Sequence, residues 1–112
     1  MNAFEGKGQL NAQGIVDLSP AEVRALPPGT RLVDVREKDE YVGDLGHIAG
    51  TELVPLATVE SRATAWDREA PVVVLCRSGG RSARAASLLR ALGFRNVGNM
   101  LGGMLAYRAS GY

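Results

Sequence analysis

The clearest apolar run in the chain is Pro71–Cys76, "PVVVLC", in which Val72 to Leu75 are consecutively apolar. An unbroken run of this length predicts a strand covered on both faces. It is followed by Ala85, Leu88, Leu89 and Leu92, at i, i+3, i+4 and i+7, with Arg84, Ser87 and Arg90 off the stripe. That spacing predicts an amphipathic helix, and Gly93 supplies its stop. Upstream, "GIVDL", "RLVDVR" and "TELVPL" read as strands, the last ended by Pro55, which has no ladder donor. "SPAEVRAL" carries a helix start, with Ser19 as N-cap, Pro20 at the first helical position and Glu22 closing a capping box. "EKDEYVGDL" reads as a short polar helix or turn, "GHIAG" as a loop and "ATVESRATAW" as a helix. "NVGNM" reads as a last strand and "GGMLAYRAS" as a closing helix. Strands alternating with helices predict one α/β domain, with a mostly parallel central sheet of about five strands and helices on both faces. Met1 to Gln13 is polar and glycine-rich and reads as a flexible N-terminal arm, leaving 14–112 as the domain.

Composition narrows the function only by exclusion. The chain has 112 residues, enough for one modest core, and a formal net charge of +1. That balance gives no overall footprint for nucleic acid or an anionic membrane. The basic residues Arg77, Arg81 and Arg84 nevertheless cluster locally. The opening stretch lacks the basic-then-apolar order of a secretory signal, and no apolar run approaches the ~20 residues of a membrane span. A single cysteine excludes an internal disulfide and argues against a thiolate-rich metal site. The expectation is a protein of the reducing cytoplasm with its thiol free, no metal and no cofactor.

That thiol, Cys76, stands where the strongest strand ends. Ligands of parallel α/β sheets sit outside the carboxyl ends of the strands. The loop that follows is C-R-S-G-G-R-S. Gly79 and Gly80 let it bend tightly, so that several N–H groups can converge on one anion before the helix begins. The helix N-terminus adds a partial positive charge, and Arg77 and Arg81 add guanidinium groups suited to oxyanions. A free cysteine of pKa about 8.5 is only about 3% ionised at pH 7, whereas one depressed to about 6.5 is roughly 75% thiolate. A lone cysteine at a strand end is more commonly a small buried hydrophobe. The joint arrangement of strand, Cys, Arg, Gly-Gly, Arg-Ser and helix is what favours a working nucleophile.

"CRSGGRS" resembles the active-site loop of the rhodanese sulfurtransferases. "LVDVREKDEYVGDLGHIAGTELVPL" and "GFRNVGNMLGGMLAYRASG" resemble their upstream and closing segments, in the same order and over nearly the whole chain. The resemblance implies a single rhodanese-like domain in which Cys76 takes a sulfane sulfur from a donor such as thiosulfate, carries it as a persulfide, and passes it to cyanide or a thiol. Arg77, Ser78, Gly79, Gly80, Arg81 and Ser82 would form the substrate cradle. A protein persulfide donor or acceptor is equally compatible, and neither nucleic acid nor membrane is implied. Ala49 and Thr51 depart from the family's usual proline and alanine, which predicts a local backbone adjustment.

Other residues carry weaker readings. His47 reads as structural rather than as a base. Asp34, in an apolar strand, needs a partner, for which Arg36 or a loop N–H is the candidate. Arg84 reads as an exposed side chain that extends the positive mouth at most. Trp66 and Tyr107 read as core or rim, and Gly102 and Gly103 as a turn bordering the mouth. A cysteine phosphatase is the first rival function, but its arginine should come six positions after the cysteine, where this chain has Ser82. A non-enzymatic binding module of the same fold is the second, and the retained Cys76 argues against it.

Overall fold

The computed structural model describes residues 4 and 6–112. Its sheet has the order β1-β2-β6-β5-β3-β4, built from β1 (Gln9–Leu10), β2 (Val16–Leu18), β3 (Arg31–Asp34), β4 (Glu52–Leu53), β5 (Val72–Leu75) and β6 (Val97–Met100). All neighbours run parallel except the β1–β2 pair. The helices are α1 (Pro20–Val23), α2 (Lys38–Tyr41), α3 (Val59–Ala63), α4 (Gly80–Ala91) and α5 (Gly103–Ala109), with a 3-10 turn over Leu56–Thr58. No helix among the described residues is long and apolar enough to cross a membrane.

The side-chain period of two along β5 divides the core. Val72, Val74 and Cys76 pack with Val59 and Ala63 of α3 and Ala85, Ala86 and Leu89 of α4. Val73 and Leu75 face the other way, toward Val23 of α1 and Met104 and Tyr107 of α5. Both faces of the sheet are therefore covered, as the unbroken apolar run requires. Continuing the alternation by one residue puts Cys76 on the α4 side, beneath the start of that helix.

Local signals explain the helix ends. Ser19 Oγ accepts from the Glu22 amide at 3.2 Å, and Glu22 Oε1 accepts from the Ser19 amide at 2.9 Å. The capping box is thus complete. At the end of α4, the Phe94 amide reaches Leu89 O and the Gly93 amide reaches Arg90 O, both at 3.0 Å, with Gly93 at φ +97°. This left-handed glycine cap satisfies two carbonyls that the helix leaves open.

Two expectations need correction, the flexible arm and the buried stripe of α4. The sheet has six strands, because the segment read as a flexible arm supplies the antiparallel edge strand β1. Phe4 of that segment is fully buried in the core, and the Gly8 amide donates to Glu22 Oε2 at 2.7 Å. Residues 1–3 and 5 lie outside the described residues. The buried stripe of α4 also differs from the expected one: Ala86 is buried, whereas Leu88 is 37% exposed. Small residues let α4 approach the sheet closely, so the alanines rather than the larger leucine meet the core.

Candidate active site

Cys76 directly follows β5, and its Sγ receives two hydrogen bonds from the loop. The Gly79 amide donates at 3.0 Å and the Ser82 hydroxyl at 3.3 Å. Gly79 takes φ +112° as the N-cap of α4, a conformation that suits glycine and turns its N–H back on the sulfur. The Ser82 hydroxyl also lies 3.1 Å from Gly79 O, so its single proton can serve either acceptor. Burial pushes the Cys76 thiol up, but the Ser82 hydroxyl and the amides of Ser82, Gly79 and Ser78 outweigh it, and the net shift is downward. The residue is only 1% exposed, so these donors act in a dry environment. Donors from the loop therefore converge on the sulfur.

The loop is also held from behind. Amides of Met104 and Leu105, in the first turn of α5, donate to the carbonyls of Cys76 and Arg77 at 2.9 and 3.0 Å. These α5 donors have no partner within their own helix, and here they fix the carbonyls so that the loop's own amides face the sulfur. The approach demands glycine: a β-carbon on Gly103 would lie 2.5 Å from backbone atoms of Cys76 and Arg77. Gly102 and Gly103 thus form the turn expected beside the mouth, with a tighter role than a turn alone.

The two arginines separate. Arg77 is exposed and borders an open groove of about 440 Å³, which Asp39, Glu40 and Asp44 also line. Arg81 instead turns to α2, where its two terminal nitrogens bind the two carboxylate oxygens of Glu40 at 2.7 and 2.8 Å. The Arg81 guanidinium beside Glu40 holds that carboxyl down at about 2, with help from the Glu37 amide. The reciprocal bond pushes Arg81 up. The expectation that both guanidiniums face an incoming anion is therefore corrected for Arg81. Glu40 escaped the sequence reading because its partner is 41 positions away, and nothing local marks it.

A buried pair supports α2 from below. Arg36 binds both Asp34 oxygens through Nε and Nη2, at 2.8 to 3.1 Å, and its amide adds a 3.0 Å bond. Its remaining donors reach the carbonyls of Glu40 and Gly46. Asp34 has the partner expected for it, and both side chains are almost fully buried, with their polar atoms satisfied. His47 is exposed and stacks on Tyr41 at 3.8 Å, with Nδ1 beside Tyr41 O. Thr51 uses its hydroxyl: Oγ1 donates to Ile48 O at 2.6 Å and lies 3.0 Å from Tyr41 Oη. Arg84 lies along a different groove, of about 610 Å³, on the flank of α4, and Cys76 does not line it.

Residues 19–110 match the profile of the Rhodanese-like domain. The chain belongs to the rhodanese-like family. Among relatives of this rhodanese-like chain, the uncharacterized protein YqhL of Bacillus subtilis is 37% identical over 86 residues, covering 77% of this chain and 67% of YqhL. GlpE of Pseudomonas paraeruginosa, named a thiosulfate sulfurtransferase, is 33% identical over 93 residues, covering 82% and 83% of the two chains. The structure of the human single-domain sulfurtransferase TSTD1 superposes with a TM-score of 0.74 at 26% identity, over 83% of this chain and 95% of that one. The rhodanese-like fold thus accounts for the sheet, the helices on both faces and the loop at the end of β5.

Proposed function

We propose that this rhodanese-like domain is a sulfurtransferase that works through a persulfide on Cys76. The observation that carries the reading is the pair of donors, the Gly79 amide and the Ser82 hydroxyl, aimed at Sγ where β5 meets α4. The Cys76 thiolate attacks the outer sulfur of a sulfane donor such as thiosulfate. The new bond joins Sγ to that sulfur, the donor's S–S bond breaks, and sulfite leaves with the bonding electrons. The persulfide left on Cys76 is itself an anion, and the amides that held the thiolate are placed to hold it. A thiolate or cyanide then attacks the outer sulfur, and Cys76 leaves as the thiolate. Sulfur changes hands with no external oxidant or reductant. Both leaving groups are stable anions, so no general acid or base is required.

In this reading Cys76 is the catalytic residue. Ser78, Gly79, Gly80 and Ser82 form the cradle, Arg77 meets the donor at the mouth, and Arg81 braces the loop through Glu40. The acceptor is cyanide, a low-molecular-mass thiol or a protein thiol, and a reducing cytoplasm keeps Cys76 available. The phosphatase alternative loses support at Arg81, whose guanidinium is committed to Glu40 rather than free to grip a phosphate. Intact-mass measurement tests the proposal. Incubation with thiosulfate or an alkane thiosulfonate adds one sulfur to the wild-type chain and none to Cys76→Ala. Cyanide then removes the sulfur as thiocyanate. A wild-type chain that gains no sulfur from either donor overturns the reading.

A further inference from the structure

Two guanidiniums near the mouth are committed before a substrate arrives. Arg36 is spent on Asp34, and its remaining donors are spent on the carbonyls of Glu40 and Gly46. Arg81 is spent on Glu40 in a two-pronged pair. Along the groove that Arg77 borders, the exposed guanidinium of Arg77 meets the exposed carboxylates Asp39 and Asp44. The loop amides add a field suited to one negative sulfur. Cys76 has to react as the thiolate, so thiosulfate brings the encounter to three negative charges, whereas a donor with one negative charge brings it to two.

We propose that Glu40 sets the donor class of this site: by neutralising Arg81 it leaves Arg77 as the one guanidinium of the Cys76–Ser82 loop without an ion pair among the described residues, and so selects sulfane donors carrying one negative charge over dianionic ones. This rests on the sulfurtransferase reading above. Glu40 touches neither sulfur nor donor, so it is a positioning residue that acts through Arg81. The matched probes are thiosulfate and an alkane thiosulfonate. In both, the thiolate takes the outer sulfur and one S–S bond breaks. Sulfite leaves in the first case and a sulfinate in the second, and total charge is conserved in each. The donors differ in charge but not in the bond made.

Their leaving groups differ in intrinsic reactivity, so the informative quantity is how the ratio of kcat/KM values moves between variants. Glu40→Gln keeps the side-chain length and a hydrogen-bond acceptor but releases the charge of Arg81. Coulomb energy scales with the charge of the ligand, so one released charge raises kcat/KM for thiosulfate about tenfold and for the thiosulfonate about threefold, mainly through KM. The ratio therefore shifts about threefold toward thiosulfate. Arg81→Gln strands the Glu40 carboxylate and shifts the ratio by a similar factor in the opposite direction, which keeps the test open should Glu40→Gln fail to fold. The double variant Glu40→Gln with Arg81→Gln restores the wild-type ratio. Equal factors for the two donors in every variant, as from general damage to the loop, overturn the proposal while leaving sulfur transfer intact. A wild-type chain that takes sulfur from neither donor overturns both.

Discussion

Met104 donates its amide hydrogen to the carbonyl of Cys76 at 2.9 Å, so α5 braces the loop that holds the candidate nucleophile. Gly103 makes the contact possible, at φ +59° and with no room for a β-carbon. Gly103→Ala is therefore expected to cost at least about 2 kcal/mol of stability, from backbone strain and the clash together. Sulfur transfer should fall as the Cys76 and Arg77 carbonyls shift. Urea unfolding and a sulfur-loading assay check this, and a variant with wild-type stability and activity would contradict it.

Ser82→Ala removes the hydroxyl that does most to lower the Cys76 pKa. The remaining amides still donate, so the thiol titrates higher than in the wild type but the fold persists. The pH dependence of iodoacetamide alkylation measures the midpoint. Wild-type protein should alkylate with a midpoint below that of a free cysteine, and Ser82→Ala with a higher one. Unchanged midpoints would refute the role given to the hydroxyl.

Arg77 is exposed and makes no ion pair among the described residues, so Arg77→Ala should change stability by less than about 0.5 kcal/mol. KM for thiosulfate should rise about tenfold, while the extent of sulfur loading at saturating donor is kept. Steady-state kinetics beside a denaturation curve separate the two effects.

The Glu40–Arg81 pair gives stability a defined acid dependence. The folded Glu40 carboxyl sits at about 2, below its unfolded value of 4.5. A depressed carboxyl contributes fully above the unfolded value and loses that contribution as the pH falls through the folded one. The pair is partly exposed to solvent, so its worth is about 1 kcal/mol rather than what the full shift would give. Glu40→Gln should thus unfold at lower urea than the wild type at pH 7, with the two midpoints converging below about pH 4.5. A gap that is constant with pH would count against the ion pair as its cause.

Phe4 is fully buried near Gly98 of the inner strand β6, and β1 pairs with β2 at the edge of the sheet. Phe4→Ala should cost about 3 kcal/mol, as for other large aromatic truncations in a core. Removal of the first ten residues should cost as much or more. Thermal or urea unfolding decides, and a loss under 0.5 kcal/mol would show that the segment is dispensable.

Much of this was legible in the sequence because it is local. The run Val72–Leu75 announces a doubly covered strand, and the Ser19–Glu22 box and Gly93 announce helix ends within a few residues of themselves. The hydrogen bonds to Cys76 Sγ are local for the same reason, since Cys76, Gly79 and Ser82 lie within one short loop. What escaped is settled by partners distant along the chain. Gln9 and Leu10 form a two-residue strand too short to show any period, and only pairing with Val16 and Asp17 defines it. Leu88 looked like core by spacing, but the close approach of α4 to the sheet gives that place to Ala86. Arg81 looked free until Glu40 of α2 was placed against it.

The brace from α5 has a consequence for biosynthesis. A chain emerging from the ribosome exposes Cys76 well before Gly103 and Met104 follow it. Until α5 docks, the thiol lacks its backing and the amides have no fixed aim. Chemical competence therefore waits for α5, and a product cut short before Gly103 would carry an ordinary cysteine.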